Sequence, residues 1–113
     1  YSSRPDEAEI EMLLSETNHE SLKILFAHQA SDRLIRHAQE SGTDLLLGGH
    51  THGGQIRIPI FFYPVTAVME ETMYIRHDYT LGDLLLNVNS GLGFTLSPVR
   101  YNAPADYSVI DIR

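Results

Sequence analysis

The chain contains no cysteine. That absence removes any disulfide framework, any thiolate nucleophile and any thiolate metal ligand, so a metal site here must be built from His, Asp, Glu or Asn. It also fits a reducing compartment such as the cytosol. Basic residues are scarce: eight Lys and Arg stand against fifteen Asp and Glu, for a net charge of −7. The basic positions are scattered, and without clustered Lys and Arg there is no broad face for a nucleic-acid backbone. No apolar run approaches the ~20 residues that a membrane span needs. The opening "YSSRPDEAE" has neither the basic nor the apolar region of a signal peptide. Internal repeats and low-complexity tracts are missing as well, which argues against disorder. The chain lacks an initiator Met and opens in mid-pattern on a helix start, so it is expected to be a fragment.

What is present is one domain's worth of ordinary globular sequence: 113 residues, 42% of them apolar. A globule of this size buries roughly two thirds of the surface that its unfolded chain exposes. "SSRPDEAEIEMLLSE" predicts a helix, with Ser3 as cap, Pro5 in the first turn, acidic Asp6, Glu7 and Glu9 near the positive end of the dipole, and Ile10, Leu13 and Leu14 on one stripe. "SLKILFAH" is a short apolar run of the kind a buried strand shows. "SDRLIRHAQESG" then predicts a helix capped by Ser31 and stopped at Gly42, with Leu34, Ile35 and Ala38 on one face. "DLLLGGH" predicts a second buried strand. A strand, helix, strand unit of this length suits a right-handed parallel crossover. It would set His28 and His50 at the carboxyl ends of neighbouring strands, where open α/β sheets place their ligands.

Beyond residue 54 the texture changes. "QIRIP", "MYIRHDY", "LLLNVNS", "PVRYN" and "YSVIDI" alternate apolar and polar residues, with turn signals at Leu81-Gly82-Asp83, at Gly91 and Gly93, and at Pro98 and Pro104. This half is expected to be mostly antiparallel strands. "IPIFFYPVTAV", with Pro59 and Pro64 and a cluster of aromatic residues, is expected to be an irregular loop over the site.

The chemistry concentrates in "GGHTHGGQ". His50 and His52 lie one residue apart, and Gly48, Gly49, Gly53 and Gly54 are half of the eight glycines in the chain. Neutral imidazole is a good ligand for first-row divalent metals. Glycine lets the backbone take positive φ and approach an ion or a phosphate without a Cβ in the way. The two histidines can face one metal or two, and His28, from the neighbouring strand end, is the third candidate nitrogen ligand. His19, His37 and His77 lack such a setting and are assigned structural or surface roles.

"LLLGGHTHGGQIRIP", with "ILFAHQ" upstream and "NVNSGLGFTLSPVRYNAPADYSVIDI" downstream, resembles the carboxyl-terminal half of calcineurin-like metallophosphoesterases. The resemblance runs from about residue 20 to the end. It is strongest to the bacterial branch of membrane-associated phosphodiesterases and lipid-precursor pyrophosphatases. It implies an α/β (α+β) fold in which residues 1–113 form the carboxyl-terminal portion of a four-layer α/β/β/α sandwich, a mixed sheet with helices outside. It implies two divalent metal ions, manganese, iron or zinc, with His28 and His50 on one and His52 on the other. A metal-bridging hydroxide would attack phosphorus, giving hydrolysis of phosphodiester, pyrophosphate or phosphomonoester bonds. Thr51 and Gly49 would shape the turn, and Gln55 and Arg57 could reach a phosphate or a leaving group. Relatives are often tethered by an amino-terminal helix, so the location is expected to be cytoplasmic, or membrane-associated through a segment not present here.

The chain departs from the family in lacking the Asp-X-His, Gly-Asp and Gly-Asn-His motifs that precede this region. Gly82-Asp83 lies after the histidine motif, between two alternating strands, and reads as a hairpin turn. Three imidazoles shared by two dications, with no carboxylate, make a weak site, so the chain alone is expected to bind metal poorly and to be inactive. A half-sandwich would also leave apolar sheet surface and open strand edges. The expected partner is therefore the amino-terminal half of the same domain or a second chain, and the expected substrate is a small-molecule or lipid phosphoester, for which "IPIFFYPVTAVM" could supply apolar lining. The alternative is a metal-free interaction scaffold or inactive fragment of the same fold.

Overall fold

A computed structural model describes residues 7–16, 21–60, 63–66 and 72–113. The described elements run α1 (Glu7–Ser15), β1 (Ile24–Phe26), α2 (Asp32–Glu40), β2 (Leu45–Gly48), a short 3-10 turn (His52–Gly54), β3 (Ile58–Ile60), β4 (Tyr63–Val65), β5 (His77–Leu81) and β6 (Leu84–Val88). The fold is mixed α/β, with a four-stranded sheet in the order β1-β2-β6-β5 and a separate β3-β4 ribbon.

The strand-helix-strand unit forms as its sequence dictates. Ser31 caps α2 by accepting the Leu34 N–H on its side chain, and the helix closes at Ser41 with Gly42 beyond it at φ +68°. β1 and β2 are parallel, with Ile24 opposite Leu45 and Phe26 opposite Leu47. Lys23 secures the crossover: its N–H donates to the Asp44 carboxylate at 2.8 Å and its Nζ to the Ser41 carbonyl at 2.7 Å. One sheet face carries the core, in which Leu46, Leu84, Leu86 and Val88 pack with Ala30, Ile35 and Ala38. Each of the large aliphatic residues there stabilises the fold by roughly 1.5–3 kcal/mol. α1 meets α2 through His37, which lies between Glu7 at 3.6 Å and Glu40 at 3.8 Å. The structural role given to His37 fits this position.

One expectation falls partly outside the described residues, and four others change. The helix predicted from Ser3 is described only from Glu7, so Ser3, Pro5 and Asp6 lie outside the described residues, as does His19. Leu13 is 63% exposed, and only Ile10 of the predicted stripe is buried, because a single helix neighbour covers a narrow face. The second half is not simply antiparallel: β6 pairs antiparallel with β5 but parallel with β2, which makes it an inner strand of a mixed sheet. The segment expected to be an irregular loop forms an antiparallel ribbon with Pro59 opposite Pro64. A two-stranded ribbon leaves outward backbone sites where the missing proline N–H costs nothing. Part of that segment, residues 61–62 and 67–68, lies outside the described residues. Finally, "PVRYN" and "YSVIDI" form no strand; Tyr101 makes one isolated parallel bridge with Ile56, and residues 102–113 are irregular. Alternation prepares a segment for a sheet, but ladder hydrogen bonds require a partner strand in register.

The predicted hairpin is present. Gly82, at φ +67°, and Asp83 join β5 to β6 in a two-residue connection. No helix among the described residues is long and apolar enough to cross a membrane.

Candidate metal centre

His28 and His50 each follow a parallel strand by two residues, and the ladder continues past the strands to carry them. Ala27 N–H donates to the Leu47 carbonyl at 2.9 Å, and Gly49 N–H donates to the His28 carbonyl at 3.1 Å. Close approach of the two segments depends on Gly48, where a Cβ would stand 3.1 Å from that of Ala30. The rings then meet edge to face with centroids 4.7 Å apart, and Nε2 of His28 lies 2.9 Å from Nδ1 of His50. Both side chains are exposed at the sheet end.

From His50 the chain contracts into a compact turn. Thr51 N–H reaches back to the Gly49 carbonyl at 2.8 Å across His50, whose φ is +71°. A three-residue turn with positive φ at its centre is the strained form. His52 and Gln55 are also left-handed, at +49° and +41°, as are Gly53 and Gly54. Non-glycine residues in this region cost of order 1–3 kcal/mol each and persist only where surrounding contacts hold them.

Those contacts come from distant parts of the chain. The buried Thr51 hydroxyl donates to the Ile75 carbonyl at 2.5 Å. Thr66 donates to the Gly54 carbonyl at 2.9 Å. The Gln55 amide is engaged at both ends: Oε1 accepts the Thr95 N–H at 2.7 Å, while Nε2 donates to the Thr95 and Ser97 carbonyls. Arg100 is the hub. Its guanidinium donates to the carbonyls of His52 at 3.1 Å, Ser90 at 2.9 Å, Gly91 at 3.0 Å and Ala103 at 3.1 Å, and also to those of Gly93 and Pro104. Ser90 is in turn fixed by Asp106, whose carboxylate accepts both its N–H at 2.7 Å and its hydroxyl at 2.8 Å. Neither Arg100 nor Asp106 stands out in the sequence; the one available signal is an arginine with no acidic neighbour inside an apolar stretch.

The residues partly fit a metal. Two imidazole nitrogens bound at about 2.1 Å and at right angles around one ion lie about 3.0 Å apart, close to the His28–His50 separation. Nδ1 of His52 is buried with no hydrogen-bond partner among the described residues, an orphan that a cation would satisfy. Yet no group of three or more His, Cys, Asp or Glu side chains among the described residues converges on a point. The fold therefore pairs His28 with His50 and sets His52 two residues along the same turn, and among the described residues these do not form part of a group of three or more ligating side chains. Of the two candidate substrate contacts, Gln55 is engaged as above, and Arg57 has Nε buried without a partner and Nη1 3.4 Å from the Asn102 carbonyl. His77 stands exposed at the start of β5, accepting a hydrogen bond from Arg76.

Comparison with known proteins adds an independent line. The chain is 32% identical over 100 residues to the uncharacterized metallophosphoesterase YkuE of Bacillus subtilis, covering 88% of this chain and 34% of that protein. It is 34% identical over 110 residues to the uncharacterized metallophosphoesterase Cj0846 of Campylobacter jejuni, covering 96% of this chain and 27% of that one. It is 27% identical over 90 residues to the phosphodiesterase YaeI of Escherichia coli, covering 80% and 32%. The chain thus spans about a third of the length of the curated relatives it matches. No family model matches the chain, and no solved structure matches it.

Proposed function

From a chain that belongs to the metallophosphoesterase family as a segment of its longer members, we propose part of a binuclear, metal-dependent phosphoesterase acting on phosphodiester, pyrophosphate or phosphomonoester bonds. The observation that carries this reading is the 2.9 Å approach of His28 and His50 at the ends of adjacent parallel strands. In this reading His28 and His50 hold one ion and His52 the other, the ions being manganese, iron or zinc. When bound, the ions supply Lewis acidity toward the phosphoryl group and activate the attacking water.

The chain's own residues position. Thr51 and Arg100 clamp the turn from both sides, so that the two imidazoles stay aimed while the strain is held elsewhere. Gln55 fixes the 95–97 loop against the turn. The carboxylates that offset the charge of two dications come from an amino-terminal portion of the same domain or from a second chain. Exposed Phe26 and Leu85 on the sheet, with the unpaired alternating tail at Tyr107 and Val109, supply an apolar surface for that portion to cover. By itself the chain binds metal weakly and is inactive.

The test is hydrolysis of bis(p-nitrophenyl) phosphate by the protein carrying this chain, with metal content measured on the same sample. His50→Ala and His28→Ala are each expected to lose metal and to lower kcat by at least about 100-fold, the scale of losing a catalytic metal's charge stabilisation. Full activity and full metal content in both variants would overturn the assignment. A folded protein that holds no metal and hydrolyses nothing would instead favour the scaffold reading.

A further inference from the structure

Two arginines that the metal centre does not use meet elsewhere on the surface. Arg57 and Arg76, with Asn102, Pro59 and Pro104, line one open depression of about 320 Å³, at the lower end of the size range of small-ligand sites. Among the described residues no acidic side chain lines it, in a chain whose acids outnumber its bases by almost two to one. Neither arginine has an ion-pair partner among the described residues. Arg57 keeps Nε buried and unbonded, with only a 3.4 Å contact from Nη1. Arg76 donates through Nε to His77 Nε2 at 2.6 Å, and its two terminal amino groups bond to no described residue. Two guanidinium groups in one depression repel each other until an anion lies between them. A buried, unbonded guanidinium nitrogen carries a desolvation cost that an oxyanion would offset.

The depression is built, not incidental. The backbone of Arg57 is held on both sides of the isolated bridge, Arg57 N–H donating to the Tyr101 carbonyl at 2.9 Å and Tyr101 N–H to the Gln55 carbonyl at 2.8 Å. Asn102 takes φ +53° and its side chain donates to the Arg57 carbonyl at 3.3 Å. Arg76 follows Ile75, whose carbonyl receives the Thr51 hydroxyl. Each arginine is thus tied within a few residues to the turn that carries His50 and His52.

We propose that this depression binds a phosphate-type oxyanion through the forks of Arg57 and Arg76, and that it takes a second anionic group of the substrate. Bidentate contact with phosphate oxygens is the chemistry for which guanidinium is suited and ammonium is not. The substrate class is then a phosphoester carrying another phosphate, such as a pyrophosphate diester. The second half of this statement rests on the phosphoesterase reading; the first half does not.

The test separates the two. Binding of inorganic phosphate and of pyrophosphate to the metal-free protein, kept in excess chelator, is followed on the arginine Nε–Hε resonances. Saturable binding is expected, weakened about tenfold or more by Arg57→Gln or by Arg76→Gln, the loss of one charge-assisted pair, and unchanged by Arg36→Gln on the exposed face of α2. Arg57→Lys, which keeps the charge but not the fork, is expected to weaken binding as well and serves if Arg57→Gln does not fold. Binding that is absent, or equally strong in the Arg57→Gln, Arg76→Gln double variant, overturns the site. With metal restored, the arginine variants should raise KM for a pyrophosphate diester at constant kcat and leave KM for bis(p-nitrophenyl) phosphate alone; a rise for both substrates overturns the substrate assignment. Oxyanion binding in a protein that hydrolyses nothing would refute the phosphoesterase reading and leave the site standing.

Discussion

Replacing Gly53 by alanine adds a methyl group at the tightest point of the histidine turn. The new Cβ would lie 2.6 Å from the Ser90 hydroxyl oxygen, 3.0 Å from Ser90 Cβ and 3.7 Å from Ala103 Cβ. Ser90 cannot give way cheaply. It is 1% exposed, its N–H and hydroxyl both donate to Asp106, and its carbonyl accepts from Arg100. Gly53 also sits at φ 62°, ψ 22°, a left-handed conformation that costs an L-residue about 1–2 kcal/mol. Overpacking adds about 1–3 kcal/mol, so the expected destabilisation is about 2–5 kcal/mol out of the roughly 5–15 kcal/mol that holds a domain folded. Urea unfolding followed by far-ultraviolet circular dichroism should move its midpoint down by about 1–2.5 M, for a slope of about 2 kcal/mol/M. A double-mutant cycle locates the cause. Ser90→Gly removes both clashing atoms, so in that background Gly53→Ala should recover about 1–3 kcal/mol, leaving the cost of the backbone angle. A penalty below about 0.5 kcal/mol, the usual range of a surface change, or one of the same size with and without Ser90, would refute the reasoning.

Two further substitutions test the supports. Arg100→Ala leaves the carbonyls of His52, Ser90, Gly91 and Ala103 without their shared donor and should cost at least about 3 kcal/mol by thermal or urea unfolding; Arg100→Lys should recover less than half, because an ammonium has three donors and no fork. Asp106→Asn puts a donor where two Ser90 donors now converge, so it should cost about 1.5–3 kcal/mol and speed hydrogen exchange at the Ser90 amide, whereas unchanged exchange would show that the carboxylate is dispensable.

The parts of the fold that were legible in the sequence share a short range. Ser31 caps a helix three residues on, Gly42 ends it, and the Leu45–Gly48 run fills a strand buried on its core face. The histidines fell at strand ends because parallel strands on a crossover begin and end at the same levels. Gly82 marked a hairpin because a two-residue connection needs positive φ. The misses are those of pairing. Alternation in "PVRYN" and "YSVIDI" reported segments suited to a sheet, not whether a partner edge exists, and the facing prolines of the β3-β4 ribbon read as loop chemistry.

The amino-acid sequence by itself determined the strand-helix-strand unit, the glycine-flanked turn and which histidines are the candidate nitrogen ligands, since periodicity, capping and backbone freedom act over a few residues. Tertiary structure decided which groups hold that turn in its strained form. The Arg100 contact to His52 spans 48 residues and the Gln55 contact to Ser97 spans 42. It also decided that Arg57 and Arg76 share one depression. No local propensity encodes such contacts, because each exists only after the chain has closed the loop between its partners, and the entropy of that closure is repaid by the packing of the whole sheet.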